Sequence, residues 1–211
     1  MSISTAHAAF LESIERNREI YMRALSSCDA CEPRCFQYIV PQVFLNLTCD
    51  WENYVEEVLL QYLLGETSCA GNRYVTHVVA RDRHHASRIL QGISAQYVDW
   101  LNFDQVQRIL EAHFCNVDTR LLDGFLSFRP RLKEIKTVRN AIAHKSCTAR
   151  EKYYDLIRGK LPNSVGISVA DFLTSRKPGD SCSFYSYYEE AFNGSADFFS
   201  ERDVSDFDTT S

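Results

Sequence analysis

The chain lacks the features that mark several large classes of protein. It has no run of about 18 apolar residues, so the sequence predicts no membrane-spanning helix. Its first residues form no apolar signal region, and charged side chains follow soon afterwards, from Glu12 onward. It also has no glycine-rich phosphate loop, no internal repeat and no serine or cysteine constellation typical of nucleophilic catalysis. We therefore expect a cytoplasmic protein with no membrane partner.

Cysteine is present but does not form a ligand pattern. Of the eight cysteines, only Cys28, Cys31 and Cys35 are closely spaced, and no second cysteine or histidine pair completes a tetrahedral set. The other five are scattered singly, and a cytoplasmic compartment keeps thiols reduced. The sequence thus predicts no disulfide framework, no metal site and no cofactor.

Charge is segregated along the chain, although the net charge is only −5. Between residues 127 and 152, eight basic residues stand against two acidic ones, whereas between residues 189 and 211 seven acidic residues stand against one basic. Either stretch could be a solvated surface, but the basic one has the composition that binds phosphate. One hypothesis is that residues after about 193 partly screen the basic segment.

Apolar spacing predicts helices through most of the chain. Expected helices are one over residues 4–26, a long one with Pro41 near its first turn that ends at Gly65, one opened by a capping box at Asn102–Gln105, one beginning near Pro130, and one capped by Thr148 and Glu151. Residues 66–92 fit either an extended or a helical structure. We predict an all-α fold divided into residues 1–36, 37–175 and 176–211, with a long N-terminal helix and a short aromatic, acidic C-terminal extension.

The segment from Arg139 to His144 carries the most distinctive chemistry. The spacing of apolar residues buries one face of its helix, namely Leu132, Ile135, Val138 and Ile142. Asn140 and His144 then lie one turn apart on a single face, while Arg139 and His144 diverge by about 140° and by about 7.5 Å along the axis. One helix would clamp a phosphate poorly, but two copies crossing at a symmetry axis would surround it, which predicts a homodimer.

A second Arg-x4-His string occurs from Arg108 to His113. It has no asparagine after the arginine, and a glutamate lies in its middle, so we interpret it as part of an ordinary amphipathic helix. Only the first string combines an asparagine, a basic neighbourhood and an abrupt helix end.

The segment from Thr137 to Ser146 resembles the Arg-Asn-x-x-x-His signature of HEPN-superfamily ribonucleases, with the RiboL-PSP type as the nearest branch. The likeness extends more loosely to residues 51–54 and 97–101, and covers about residues 37–175. It implies an HEPN-like helical bundle that dimerises and cuts RNA without a metal, as bacterial toxins and antiviral defence effectors of this family do. Some such toxins carry a nucleotide-accepting tyrosine where Ser146 stands, so that mode of control is not expected.

These observations give each candidate residue a role. Arg139 and His144 are expected to be catalytic, with Asn140 orienting the histidine or the phosphate. The expected RNA-binding residues are Lys145, Lys136, Arg131 and Lys133. Glu52 is either a solvated helix residue or a carboxylate that pairs with a motif arginine. Expected partners are RNA, a second copy of the chain, and an antitoxin or regulatory protein. The alternative is a catalytically inactive HEPN-like module that binds RNA or protein, as an antitoxin or sensor subunit, and a purely structural helix end also fits the motif.

Overall fold

The computed structural model describes residues 2–26, 33–92, 98–115, 119–144, 146–162, 164 and 166–202. It contains eight helices within these ranges: α1 (Ile3–Ser26), α2 (Pro33–Leu63), α3 (Arg83–Gln91), α4 (Phe103–His113), α5 (Thr119–Ala143), α6 (Cys147–Lys160), α7 (Val169–Thr174) and α8 (Phe184–Ser200). Over the same ranges, β structure is confined to two isolated antiparallel bridges, Thr76 with Phe114 and Arg176 with Ser183. The all-α prediction is confirmed, as is the long N-terminal helix.

Two helices begin earlier than predicted, and each contains an internal proline. Helix α2 begins at Pro33 and passes through Pro41, and α5 begins at Thr119 and passes through Pro130. An internal proline removes one backbone hydrogen bond and costs about 3 kcal/mol. Buried apolar residues continue on both sides of each proline: Val40, Val43 and Phe44 in α2, and Leu121, Phe125, Leu132 and Ile135 in α5. Their burial offsets that cost, so the predictions that Pro41 lies near the first turn of its helix and that the second helix begins near Pro130 were wrong.

The helix caps also differ from those predicted. Asn102 occupies the N-cap position of α4 without a side-chain capping bond, and the Gln105 side chain accepts a hydrogen bond from the backbone of Asp99 instead. Helix α6 is capped by Ser146, whose Oγ accepts from the Ala149 amide at 3.2 Å, rather than by Thr148. Helix α7 is capped by Ser168, whose Oγ accepts from the Asp171 amide.

The chain forms two compact units, each assembled from separate stretches of sequence. The first comprises residues 1–11, 51–129 and 193–211, and the second comprises residues 12–50 and 130–192. The division at residues 36 and 175 that the sequence suggested stays a prediction.

In the first unit, polar groups of α2 bind the end of α8. Trp51 Nε1 donates to Ser195 Oγ at 2.9 Å, while the hydroxyls of Tyr54 and Tyr62 donate to the carbonyls of Ala196 and Phe199. These groups are buried away from water, so each donor needs a hydrogen-bond partner within the protein and finds it in α8. Trp51 is confirmed as a core residue, and α8 is held by directional bonds as well as by apolar contact.

The second unit has an aromatic core. Tyr21 of α1 stacks on Tyr185 at 3.9 Å between ring centroids, and Phe172 of α7 stacks on Phe184 at 4.4 Å. Leu132, Ile135 and Val138 of α5 are buried in the same unit, as are the aromatic residues at the start of α8. Most of the aromatic C-terminal residues therefore lie in cores.

Acidic residues near the C-terminus also have partners within their own units. Asp197 bonds His7, and Glu201 accepts from Asn72. Glu189 is buried and accepts from Arg18 Nε at 2.8 Å. These side chains serve as structural acceptors, so a screening role for residues after about 193 would fall mainly to residues 203–211, which lie outside the described residues.

The stretch that the sequence left open, residues 66–92, is irregular up to Asp82 and then forms α3. Asp82 caps α3 through a hydrogen bond from the His85 amide. None of the helices in the described part of the chain is both long enough and apolar enough to cross a membrane.

Candidate functional site

The end of α5 presents the Arg139–His144 segment. Leu132, Ile135 and Val138 are almost completely buried, and the residues that follow them become progressively more accessible. Ile142 is only half-buried, so the buried face that the sequence predicted ends at Val138. Arg139 and Asn140 are half-buried, and His144 is exposed. The histidine is therefore the member of the segment that a bound molecule reaches most directly.

The helix stops at His144, as predicted. Its amide donates to the Asn140 carbonyl at 2.9 Å, which closes the last turn. Ser146 then caps α6, so His144 lies in a connection of three residues between two helices. Lys145, the middle residue of that connection and a predicted RNA contact, lies outside the described residues.

Asn140 contacts the arginine. Arg139 Nη1 donates to Asn140 Oδ1 at 3.1 Å, a bond between adjacent residues that fixes one edge of the planar guanidinium. The sequence suggested that Asn140 orients the histidine or a phosphate, whereas in this conformation its side-chain oxygen faces the arginine. A guanidinium held in one plane is suited to binding two oxygens of a phosphate group.

The predicted RNA-binding cations occupy different surroundings. Arg131 is half-buried with its guanidinium over the Tyr187 ring, 4.5 Å from the ring centroid. Lys133 is exposed and Lys136 is half-buried. Arg131 therefore contributes to packing through a cation–π contact, while Lys133 is the most accessible of the three described cations.

Glu134, one of the two acids in the basic segment, is engaged within the second unit. It accepts a hydrogen bond from the Tyr188 hydroxyl at 3.1 Å and forms an ion pair with Lys160 Nζ at 2.6 Å. The lysine compensates its charge, so Glu134 detracts little from the positive character of the helix.

Glu52 does not occupy the solvated position that we considered for it. It is only 4% exposed, and it belongs to the first compact unit, whereas Arg139 and His144 belong to the second. The spacing of Glu52 and Glu56 off the apolar stripe suggested solvent, but the opposite side of α2 is buried as well. Glu56 accepts a hydrogen bond from Trp100 Nε1 at 3.3 Å.

The second Arg-x4-His string lies on α4 in the first unit. Arg108 is exposed, but His113 is half-buried, and burial, together with the neighbouring His77, lowers the pKa of His113. The two strings thus place their histidines in different environments, and only His144 follows an Arg–Asn contact.

Sequence reasoning missed two side-chain pairs. Arg83 binds Glu57 through both guanidinium nitrogens, and His77 lies beside Cys115. Their partners are 26 and 38 residues apart, and no periodicity or motif links them. The one signal in the sequence was the high content of arginine and histidine in residues 73–88, which include Arg83 and His77.

No group of three or more His, Cys, Asp or Glu side chains that could hold a metal ion occurs among the described residues. Cys35 is exposed, whereas Cys28 and Cys31 lie outside the described residues.

The sequence matches no protein-family model, and comparisons with curated proteins and with solved structures likewise give no match.

Proposed function

We propose that the protein is an endoribonuclease of the HEPN type whose active residues are Arg139, Asn140 and His144. The observation that carries the proposal is the end of α5, where an exposed imidazole follows a guanidinium held by an asparagine, within a strongly basic segment. Phosphodiester transfer needs an accessible proton-transfer group and an oriented cation, and this segment carries one of each.

The proposed reaction is attack of a ribose 2′-hydroxyl on the adjacent phosphorus. One imidazole takes the hydroxyl proton as the new oxygen–phosphorus bond forms. The bond to the 5′-oxygen breaks, and a second imidazole returns a proton to that leaving oxygen. The Arg139 guanidinium stabilises the charge that builds up on the phosphoryl oxygens. The products are a 2′,3′-cyclic phosphate and a 5′-hydroxyl, and the scheme requires no metal ion or cofactor.

Two imidazoles imply two copies of the chain. His144 is five positions after Arg139, so at about 100° per residue their side chains leave the axis in directions about 140° apart. A homodimer that brings the ends of two α5 helices together supplies an acid, a base and two guanidinium groups to one phosphate. Lys133, Lys136, Arg131 and Lys145 are proposed to bind the flanking phosphates.

A cytoplasmic RNase of this kind needs control, because uncontrolled cleavage would damage the RNA of the cell that makes it. We propose a toxin or antiviral defence effector that an antitoxin or regulatory protein restrains. A second candidate is an inactive HEPN-like module that binds RNA or protein. The half-burial of Arg139 favours this alternative, because a phosphate reaches a half-buried guanidinium less readily than an exposed one.

The experiment that separates these candidates compares His144→Ala with His84→Ala, a matched change at another exposed histidine. Purified proteins are incubated with a fluorescent RNA in the presence of a chelator. We expect the wild type and His84→Ala to cleave, and His144→Ala to lose about 10²–10⁴-fold in rate with RNA affinity retained. Binding without cleavage by the wild type would support the inactive module, and equal cleavage by all three would overturn the assignment.

Oligomeric state tests the composite site separately. Light scattering at the protein concentration used for cleavage should give the mass of two chains. A monomer that cleaves at full rate would contradict the dimeric site while leaving the roles of the individual residues intact.

A further inference from the structure

A short two-stranded contact in the first unit brings a thiol and two imidazoles together. Thr76 and Phe114 form an antiparallel bridge, flanked by hydrogen bonds from the His77 amide to the His113 carbonyl, at 2.9 Å, and from the Cys115 amide to the Val75 carbonyl, at 2.8 Å. Residues 75–77 and 113–115 therefore form a ribbon of fixed register.

The register sorts the side chains of the ribbon onto two faces, since successive side chains on an extended strand point to opposite sides. Phe114 lies on the inner face and is buried, with edge-to-face contacts to Tyr62 and Tyr74 at 6.5 and 6.2 Å. Cys115 and His77 lie on the outer face and are exposed. The aromatic anchor on one side thus holds the thiol and the imidazole in place on the other.

On this outer face, Cys115 Sγ lies 3.2 Å from His77 Nδ1, within hydrogen-bond distance for sulfur. The other imidazole, His113, is half-buried, and burial followed by the neighbouring His77 lowers its pKa. His77 is thus the exposed imidazole within hydrogen-bond distance of the thiol. Among the described residues, no group of three or more side chains here could hold a metal ion, so the pair is better suited to thiol chemistry.

We propose that Cys115 and His77 form a thiol–disulfide exchange site, at which Cys115 takes up a small thiol from a low-molecular-mass disulfide. In this step the Cys115 proton passes to His77 Nδ1 and the thiolate sulfur attacks one sulfur of the disulfide. A new Sγ–S bond forms as the original disulfide bond breaks. The leaving thiolate then takes the proton from the imidazolium. The products are a mixed disulfide on Cys115 and one released small thiol. Thiolate, rather than thiol, is the attacking species, which is why an adjacent base accelerates the reaction.

The thiol and the imidazole are accessible, and the backbone hydrogen bonds around them do not depend on the side chains of Cys115 and His77. Both flanking hydrogen bonds use main-chain atoms, so replacing His77 or Cys115 leaves the ribbon intact. Cys69 is also exposed, and it lies in the irregular stretch between α2 and α3 rather than at a helix N-terminus. It provides an internal reference thiol in the same molecule.

The test uses the full-length protein and glutathione disulfide, with the site of mixed-disulfide formation followed over time by peptide mass spectrometry. We expect Cys115 to be modified at least about ten times faster than Cys69, and dithiothreitol to reverse the modification. His77→Asn keeps an acceptor near the position of Nδ1 but cannot take up the proton at neutral pH. It should bring the Cys115 rate down to that of Cys69.

Two controls make the result decisive. Cys115→Ser should abolish the fast modification without changing the other sites. His85→Asn changes a histidine of α3 whose ring accepts a hydrogen bond from the Arg81 amide, and it should leave the Cys115 rate unchanged. Circular dichroism would verify that each variant is folded. Modification of Cys115 at the same rate as Cys69, or an unchanged Cys115 rate in His77→Asn, would overturn the proposal.

Discussion

Arg83 binds the Glu57 carboxylate through both terminal guanidinium nitrogens, with Nη1 donating to Oε1 at 2.8 Å and Nη2 donating to Oε2 at 2.5 Å. Glu57 is largely buried on α2, whereas Arg83 begins α3 and is 60% exposed. This bidentate contact connects α3 to α2 within the first unit, and Gln61 Nε2 donates a further hydrogen bond to the same carboxylate.

The first prediction concerns Glu57→Gln. The hydrogen bonds from Arg83 are the main reason that the pKa of Glu57 is lowered. A depressed carboxyl pKa stabilises the fold above the pKa of the unfolded chain, and that stabilisation disappears as pH falls through the folded value. Glu57→Gln should therefore lower Tm at pH 7, and this deficit should shrink progressively as the pH falls below about 4. Thermal unfolding across that range measures the difference, and an equal deficit at both ends would contradict the ion-pair account.

The second prediction has the opposite sign. Burial is the largest cause of the raised pKa of Glu189, and the attraction of Arg18 only partly opposes it. When the pKa of a carboxyl group is higher in the folded than in the unfolded state, the protein becomes less stable as the pH rises through the folded pKa. Glu189→Gln removes this titration, so its Tm relative to that of the wild type should rise between pH 5 and pH 8. A relative Tm that falls over this interval would mean that the Arg18 ion pair outweighs burial.

A third prediction tests how α8 is held in the first unit. Ser195→Ala removes the acceptor of the buried Trp51 indole N–H, 2.9 Å away. An unsatisfied buried donor costs about 1–3 kcal/mol in the free energy of unfolding. Urea denaturation should show that loss, whereas Asn53→Ala, at an exposed position of α2, should change stability by less than about 0.5 kcal/mol. Equal effects of the two changes would rule out the proposed role of the hydrogen bond.

Helical periodicity predicted much of this fold, because burial follows the same spacing. Phe10, Ile14 and Tyr21 have helical spacing and are buried along α1, whereas the neighbouring Met22 is 53% exposed. Proline is less informative, since Pro41 and Pro130 lie inside helices whose apolar spacing continues past them. In both helices, the burial of apolar side chains before and after the proline outweighs the preference of proline for the first turn.

The candidate site could be predicted only as far as it is local in sequence. The end of α5 at His144 follows from the apolar stripe and the new helix start after it. The choice of Ser146 over Thr148 as the cap depends on where α6 begins, and two nearby hydroxyl residues made that ambiguous. Contacts such as Arg83 with Glu57 and Cys115 with His77 depend on how distant segments meet, which spacing along the chain does not encode.

The most direct test of the proposed activity is the chemistry of the cut ends. The protein is incubated with two RNAs that differ only in a 2′-deoxy substitution at the scissile nucleotide, and the products are analysed by mass spectrometry. Attack by the 2′-hydroxyl predicts a 2′,3′-cyclic phosphate and a 5′-hydroxyl from the unmodified RNA, and binding without cleavage of the substituted one. Cleavage of the deoxy-substituted RNA at that nucleotide, or products that carry 5′-phosphates, would contradict the roles proposed for Arg139 and His144.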